Sequence, residues 1–413
     1  MNKRYLVILI FSFIPVIVYN QSRTLDFYLD AGIHNSPLLK DYNNQINSAL
    51  IDSLLIRSSQ MPQVEASSQL LYAPVYGNFG YDEIATNGGN YQGLISVSQN
   101  IFNKKVLNNK FQSVNIQRQT ANNESRISIA DLKRVITEQY LAAYADYNEL
   151  AFNKSFLEFG YKENEIIRKF VSQGLCKQTD YLSLQIETQT QEILVNQLTS
   201  RFEKDLRQLN QLCGINDSGL YRLTLPVITI AGSQDIDNLP LFVKYRLDSL
   251  RIENEKAAID LKYKLKMNWF ADAGFLTSTP WNFYQHFGYS AGVNLSIPVY
   301  DGHQKTREKQ KLSLEEDTRS GYKNNFKNQY NQQIQQLYGE LKSLQIMTTQ
   351  LEKQLSTSEQ LVNTLRGQLE TGIIQMTEYI NAIKNLRYIN KNLSDNNIRI
   401  QQVINELNYF LAQ

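Results

Sequence analysis

The chain has 413 residues, of which 42 are lysine or arginine and 40 are aspartate or glutamate. The formal net charge is therefore only +2 at pH 7, which argues against a general electrostatic attraction to nucleic acid. Tyrosine is abundant, with 25 residues, and proline is scarce, with 8, a composition that favours long polar helices over many loops.

The first segment, residues 1–20, has the pattern of a secretory signal peptide. Lys3 and Arg4 form its basic start, and an apolar run over residues 5–18 follows. This run is shorter than the apolar segment of about 20 residues that a membrane-spanning helix needs, and no later run is apolar for about 18 residues or more. We therefore expect an exported protein that has no helical membrane anchor.

Periodicity predicts helices and strands in the first half of the chain. In chain order they are a helix over 24–59, strands over 64–72 and 91–102, and helices over 104–170 and 178–212. The first helix has Thr24 as a candidate cap and a break at Ser36-Pro37. The fourth element is a coiled-coil helix of roughly 100 Å, which ends at Gly174.

The second half repeats this order after a linker. The linker, residues 215–238, contains a short apolar, β-like run over 223–230. The elements that follow are a helix over 240–266, strands over 268–277 and 287–300, and helices over 301–369 and 377–411. The pattern predicts an internal two-fold repeat, with a first unit at 21–214 and a second at 239–413.

A short motif supports the repeat. Gly174-Leu175-Cys176-Lys177-Gln178-Thr179-Asp180-Tyr181 returns 198 residues later as Gly372-Ile373-Ile374-Gln375-Met376-Thr377-Glu378-Tyr379. At the same offset Tyr91 corresponds to Tyr289, and Tyr140 to Tyr338. Sequence identity between the two halves is low outside the motif, so the evidence for the repeat is the motif and the order of the elements.

Residues that carry chemistry are few. Cys176 and Cys213 lie roughly 50 Å apart if one helix joins them, too far for a disulfide, and we expect both to be small buried or interfacial residues. The three histidines are scattered without metal-ligand spacing. Nucleophile-elbow and phosphate-loop motifs are absent from the sequence. We therefore expect no enzyme, no cofactor and no metal.

The strands are long and are flanked by aromatic residues, which suits strands that cross an outer membrane. The residues expected at the membrane interface are Tyr72, Tyr91, Trp269, Trp281 and Tyr289. Four strands cannot close a barrel in lipid, whereas three copies of the chain supply twelve. The alternative is a soluble protein in which the same segments form two ordinary hairpins.

The motifs resemble those of the TolC family of outer-membrane efflux proteins over essentially the whole mature length. The matching residues are 25–26, 35–37 and 61–64, the Leu-Ser-Ile-Pro-Val-Tyr-Asp-Gly run at 295–302, the two Gly-x4-Thr-[Asp/Glu] turns, and Leu212-Cys213-Gly214. The chain departs from the family where Asn100 and Lys104 replace a proline and a glycine, and where no proline precedes the third strand.

The resemblance implies a membrane α/β fold: a trimeric 12-stranded β-barrel, four strands per protomer, continued by an α-helical coiled-coil barrel. It implies a homotrimeric exit duct of a tripartite efflux pump in the outer membrane, extending into the periplasm. The implied partners are outer-membrane lipid, a periplasmic adaptor and, indirectly, an inner-membrane transporter. A type I secretion duct and a non-transporting periplasmic coiled-coil scaffold remain alternatives. A soluble helical substrate-binding module is a less favoured third alternative.

The resemblance also implies roles for the two turns. Glu378, Asn381 and Asp180 are expected at the pore constriction, although the acids could serve only the first turn of a helix. Ile374 stands where the family can place a basic locking partner. The residues expected to contact the adaptor are Gly174, Leu175, Thr179, Gly372, Ile373, Ile374 and Thr377. Thr179 and Thr377 are also candidate helix caps, and the apolar residues could instead pack between neighbouring hairpins.

Overall fold

The computed structural model describes residues 22–82, 88–101, 104–174, 177–217, 219–232, 235–281, 283–371 and 373–411. The predicted signal peptide lies outside these residues. The helices are α1 (Leu25–Asn35), α2 (Pro37–Ser58), α3 (Lys104–Ser172), α4 (Gln178–Leu212), α5 (Pro240–Lys262), α6 (Gln304–Glu370) and α7 (Met376–Leu411). The strands are β1 (Gln63–Tyr72), β2 (Gly89–Ile101), β3 (Lys266–Thr277) and β4 (Phe287–Ser296).

The predicted types and order of these elements are confirmed, and α4 begins and ends at the predicted residues. The break at Ser36-Pro37 separates α1 from α2. Thr24 occupies the N-cap position of α1, but its side chain makes no capping hydrogen bond. The predicted ends of α5 and β4 lie four residues too far along the chain. The helix predicted to reach residue 266 ends at Lys262, and the strand predicted to reach residue 300 ends at Ser296. Pro298 follows β4 closely and has no N–H to donate to a sheet.

The described chain divides into two compact units, and each draws on both halves of the sequence. The first unit contains α1, α4, α7, residues 130–172 of α3, residues 333–370 of α6 and the linker up to residue 232. The second contains α2, the four strands, α5 and the remaining parts of α3 and α6. The boundaries predicted for the two sequence repeats stay predictions.

The core of the first unit is the seam predicted between α3 and α4. Its buried residues lie three, four or seven positions apart along each helix: Ile136, Tyr140, Ala143 and Leu150 on α3, and Val195, Leu198, Phe202, Leu206 and Leu209 on α4. Tyr28 of α1 packs on this seam and is fully buried. Cys213 is buried there as predicted, and burial raises the pKa of its thiol to about 11.

The apolar run at 223–230, predicted to be β-like, makes one isolated β-bridge, between Leu223 and Arg23, and does not join the four-stranded sheet. Side chains of the first unit bind its backbone instead. The hydroxyl of Tyr140 donates to the carbonyl of Thr224 at 2.8 Å and accepts from its N–H at 3.2 Å. Gln401 and Asn408 of α7 accept from the N–H groups of Ile228 at 2.8 Å and Ala231 at 2.7 Å. These side chains satisfy backbone groups that a neighbouring strand would otherwise pair.

The second unit joins α5 to the first part of α6 through ion pairs. Asp260 contacts Lys305 at 3.0 Å and Lys309 at 2.8 Å, and Arg251 contacts Glu315 at 2.6 Å. Hydrogen bonds from these lysines hold the pKa of the Asp260 carboxyl below its usual value. Nearer the start of α5, aromatic contacts join the same two helices, because the rings of Phe242 and Tyr245 lie 5.2 Å and 5.8 Å from that of Phe326.

The Asp-Gly pair at 301–302 starts α6. The two carboxylate oxygens of Asp301 accept from the N–H groups of His303 and Lys305, each at 2.9 Å. Gly302 and His303 both have positive φ, 58° and 64°. Asp301 thus satisfies N–H groups at the start of the helix that have no partner within it.

Among the residues that the structure describes, no helix is both long enough and apolar enough to cross a membrane.

Candidate functional site: the hairpin ends and the two faces of the sheet

The end of α3 is a glycine turn in the first unit. Gly174 has φ +74°, a conformation that glycine adopts without steric cost. Its N–H donates to the carbonyl of Val171 at 3.0 Å, and the N–H of Gln173 donates to that of Lys169 at 3.2 Å. The prediction that this glycine lets the chain leave the helix is confirmed. Leu175 and Gly372, two of the predicted adaptor contacts, lie outside the described residues.

The predicted threonine caps are wrong. Lys177 is the N-cap of α4, with an extended backbone (φ −79°, ψ 147°), and α7 already begins at Met376. A capping side chain must come from a residue whose own backbone is not yet helical. Thr179 and Thr377 lie two residues past the N-cap positions of their helices and so do not meet that condition, and both are exposed.

The predicted acids lie where the motif places them, in the first turns of the two returning helices. Asp180 is half-buried in the first turn of α4, and Glu378 is exposed in the first turn of α7. Carboxylates are favourable near a helix N-terminus, so their position has a local explanation. Asn381, one turn after Glu378, is also exposed.

The two isoleucines of the second turn differ in their surroundings. Ile373 is 72% exposed, as expected of a contact for another protein. Ile374 is instead half-buried and packs against a core cluster formed by Ile167, Leu184, Met376 and Tyr379. The expectation that both isoleucines are exposed therefore holds for Ile373 alone.

This cluster explains why Glu378 and Asn381 face outward. Met376 and Tyr379 are three residues apart on α7 and are both buried, with 5% and 2% of their surface exposed. Residues at this spacing share one face of a helix. Burial of that face against α3 and α4 leaves Glu378 and Asn381 on the accessible side of α7.

A row of basic side chains on α7 binds the first hairpin. Lys384 contacts Glu187 of α4 at 2.8 Å, and Lys391 contacts Glu149 of α3 at 3.0 Å. Between them Arg387 donates to Oε1 of Gln191 at 2.7 Å. We did not predict these contacts from the sequence. The signal is the spacing 384, 387 and 391, which places the three basic residues on one face of α7.

The four strands form one antiparallel sheet in the second unit, in the order β1-β2-β3-β4. Residues paired across neighbouring strands lie on the same face, and successive residues alternate between faces. A row here means the four residues that pair side by side across the four strands. Of two adjacent rows, which lie on opposite faces of the sheet, one is polar and the other is apolar. The polar row is Glu65, Ser96, Asp272 and Ser290; the apolar row is Val64, Val97, Ala271 and Ala291.

The predicted interface aromatics of the strands all lie on the apolar face. These are Tyr72, Tyr91, Trp269 and Tyr289, as the register shows. Trp281 follows β3 in a turn and is 84% exposed. Tyr91 pairs with Thr277, eight residues along β3 from Trp269. At ~3.4 Å per residue, Tyr91 and Trp269 are therefore ~27 Å apart along the sheet, whereas Tyr289 pairs with Ala273, midway between them.

Both edges of the sheet are open within the chain. β1 pairs only with β2, and β4 pairs only with β3, among the described strands. Half of the backbone groups of β1 and β4 therefore have no partner strand in one copy of the chain.

Solved structures of outer membrane channels match 94% of this chain. The open state of the MtrE outer membrane channel of Neisseria gonorrhoeae matches with a TM-score of 0.75, 8% identity and 88% of that chain covered. The CmeC outer membrane channel of Campylobacter jejuni matches with a TM-score of 0.74, 12% identity and 85% of that chain covered. The outer membrane protein VceC of Vibrio cholerae matches with a TM-score of 0.73, 13% identity and 95% of that chain covered. No protein-family model and no curated protein matches the sequence.

These likenesses show the fold. The chain is folded as one protomer of an outer-membrane channel, with a four-stranded antiparallel sheet and long helices. This is the fold of the TolC-type efflux proteins, and the resemblance that the sequence motifs indicate is confirmed at the level of the fold.

Proposed function

We propose that this protein is the outer-membrane exit duct of a tripartite efflux pump and works as a homotrimer. The observation that supports this most is the sheet, which has one apolar face, with Tyr91 toward one end and Trp269 toward the other, and has two open edges. The fold shared with outer membrane channels supports the same conclusion.

The apolar face fits a membrane. Outer-membrane strands carry an apolar band ~25 Å tall between aromatic girdles. Tyr91 and Trp269 lie ~27 Å apart by the strand rise, although Tyr289 lies within the band between them and not at an interface. The opposite face carries Glu65, Asp272 and two serines in one row. Such a face suits a water-filled lumen rather than lipid.

The open edges support a trimer. Backbone groups without a partner cost several kcal/mol each in lipid, so β1 and β4 need strands from other copies. Pairing of β1 with the β4 of the next copy around a ring leaves no edge. Three copies of four strands make the twelve-stranded barrel that the sequence predicts.

The entrance lies at the ends of the helical hairpins. Three copies of Glu378 form a ring of carboxylates, with Asn381 one turn along α7 and Asp180 on the neighbouring hairpin. Water-filled openings lined by carboxylates favour cations. The exposed Ile373 and the Gly174 turn form the contact for a periplasmic adaptor, and an inner-membrane transporter supplies the energy, since conduction itself needs no catalytic residue.

Fractionation and conductance test the proposal. The mature protein should sediment with the outer membrane, migrate as a trimer before heating, and form channels in planar bilayers. A periplasmic scaffold would give no conductance, and a soluble module would be a detergent-free monomer. Deletion of the gene should raise the cellular accumulation of dyes or drugs. Loss of a secreted polypeptide with unchanged accumulation would favour a type I secretion duct.

A further inference from the structure

A cleft in the first unit lies between α3, α6 and α7. Its volume is ≈ 290 Å³, and three phenylalanines of α3, Phe152, Phe156 and Phe159, form one wall. Arg366 of α6 and Arg387 of α7 also line it, and no carboxylate is among its described lining residues. The cleft therefore combines aromatic surface with positive charge.

Arg387 is the residue of this cleft that indicates what kind of ligand the cleft binds. One of its nitrogens donates to Gln191, and its guanidinium carbon lies 5.5 Å from the ring centre of Phe156. Lys384 and Lys391, on the same face of α7, are each paired with a glutamate. Within the described chain Arg387 makes no such ion pair, so most of its donors are available to a ligand.

We propose that this cleft binds a small aromatic carboxylate. The carboxylate accepts from the guanidinium of Arg387, which offers parallel N–H donors that match its geometry. The aromatic ring lies against Phe152 and Phe156. The volume of the cleft, ≈ 290 Å³, is close to the lower end of the range for small-molecule sites, about 300 Å³. A small molecule therefore fits this space.

Binding of 2-naphthoate to the purified full-length mature protein in detergent tests the proposal. Calorimetry should show saturable binding above that of protein-free micelles. The neutral analogue 2-naphthamide should bind at least about 10-fold more weakly, because it lacks the charge-assisted hydrogen bonds. Equal binding of the two compounds, or only the partitioning seen with empty micelles, would overturn the proposal.

Two variants separate the site from a general loss of structure. Arg387→Gln should weaken 2-naphthoate by about 10-fold or more, whereas Arg399→Gln should change it by less than about two-fold, since Arg399 on the same helix is paired with Glu340 at 2.7 Å. Ser155→Trp starts from an exposed residue that lines the cleft and should block binding without disturbing the core. Unchanged affinity in both Arg387→Gln and Ser155→Trp would exclude the site. The readout needs no conduction and is independent of the proposed duct.

Discussion

The carboxyl group of Asp146 on α3 is buried against α4, where Nη2 of Arg201 lies 2.8 Å from its Oδ1. Only 1% of the Asp146 side chain is exposed, compared with 60% of the Arg201 side chain. Burial raises the pKa of Asp146 from 3.8 to about 6, Arg201 opposes the shift, and Asp205 and Glu149 add to it. The first hairpin thus contains an acid that titrates near physiological pH.

Replacement of Asp146 should remove a pH-dependent part of the stability. A carboxyl whose pKa is raised in the folded state stabilises the fold below its unfolded pKa, and this contribution is lost as the pH rises from about 4 through about 6. The loss amounts to about 3 kcal/mol at most. Asp146→Asn should therefore be more stable than the wild type at pH 8, and this advantage should shrink at pH 5.

Thermal unfolding of both proteins at pH 5 and pH 8 measures this difference. Glu158→Gln, an exposed acid on the same helix, is the control and should be neutral at both values. A variant that is less stable than the wild type at pH 8 would mean that the ion pair with Arg201 outweighs the burial.

Removal of the Tyr140 hydroxyl should loosen the linker. The hydroxyl lies 2.8 Å from the carbonyl oxygen of Thr224 and 3.1 Å from that of Arg23, and its single hydrogen is shared between them. Tyr140→Phe removes this donor from two part-buried backbone carbonyls, at a cost of about 0.5–1.5 kcal/mol in unfolding free energy. Limited proteolysis should cut the variant faster within residues 219–232. Tyr144→Phe should behave as the wild type, because the Tyr144 hydroxyl makes no hydrogen bond within the part of the chain that the structure describes.

A matched pair of arginines tests the faces of the sheet. Ala273 lies on the apolar face, midway between the rows of Tyr91 and Trp269, and Ser96 lies on the polar face opposite Asp272. Ala273→Arg should destabilise the membrane-inserted trimer by about 2–4 kcal/mol, whereas Ser96→Arg should be tolerated. The yield of heat-resistant trimer in outer-membrane fractions measures both, and the reverse order would contradict the assigned orientation.

Neutralisation of Glu378 should change ion selectivity. In planar bilayers, Glu378→Gln should lower the ratio of cation to anion permeability by about two-fold or more, because in the proposed trimer it removes a ring of charge from the entrance. Asn381→Asp should raise the same ratio. Glu192→Gln, which alters an exposed acid of α4 away from the turns, is the control. Identical ratios in all three variants would remove Glu378 from the constriction.

The neighbouring isoleucines should differ in crosslinking. A cysteine at position 373 should couple to the adaptor in cells that carry the complete pump, because Ile373 is exposed. A cysteine at 374 should couple poorly, because Ile374 packs against the cluster of Met376 and Tyr379. A background without Cys176 avoids a competing thiol. Equal coupling at both positions would argue that this turn rearranges in the assembled pump.

The helices and strands were predictable because their signals are local. The three- and four-residue period of Ile136, Tyr140 and Ala143 already defines the buried side of α3, and alternation in β1 already separates its two faces. The Gly174 turn and the acids of the returning helices follow from a short motif. Errors arose at element ends, as with Thr179 and Thr377, where a shift of two residues decides whether a side chain caps a helix.

The repeat in the sequence determined the order of the elements, but tertiary structure decided which equivalent residues share a role. Tyr140 is fully buried and binds the linker, whereas its counterpart Tyr338 is 44% exposed. The partners of Arg387 and the burial of Asp146 likewise depend on residues far away in the chain. Periodicity reports the conformation of one segment, while the surroundings of a polar side chain depend on which segments pack together.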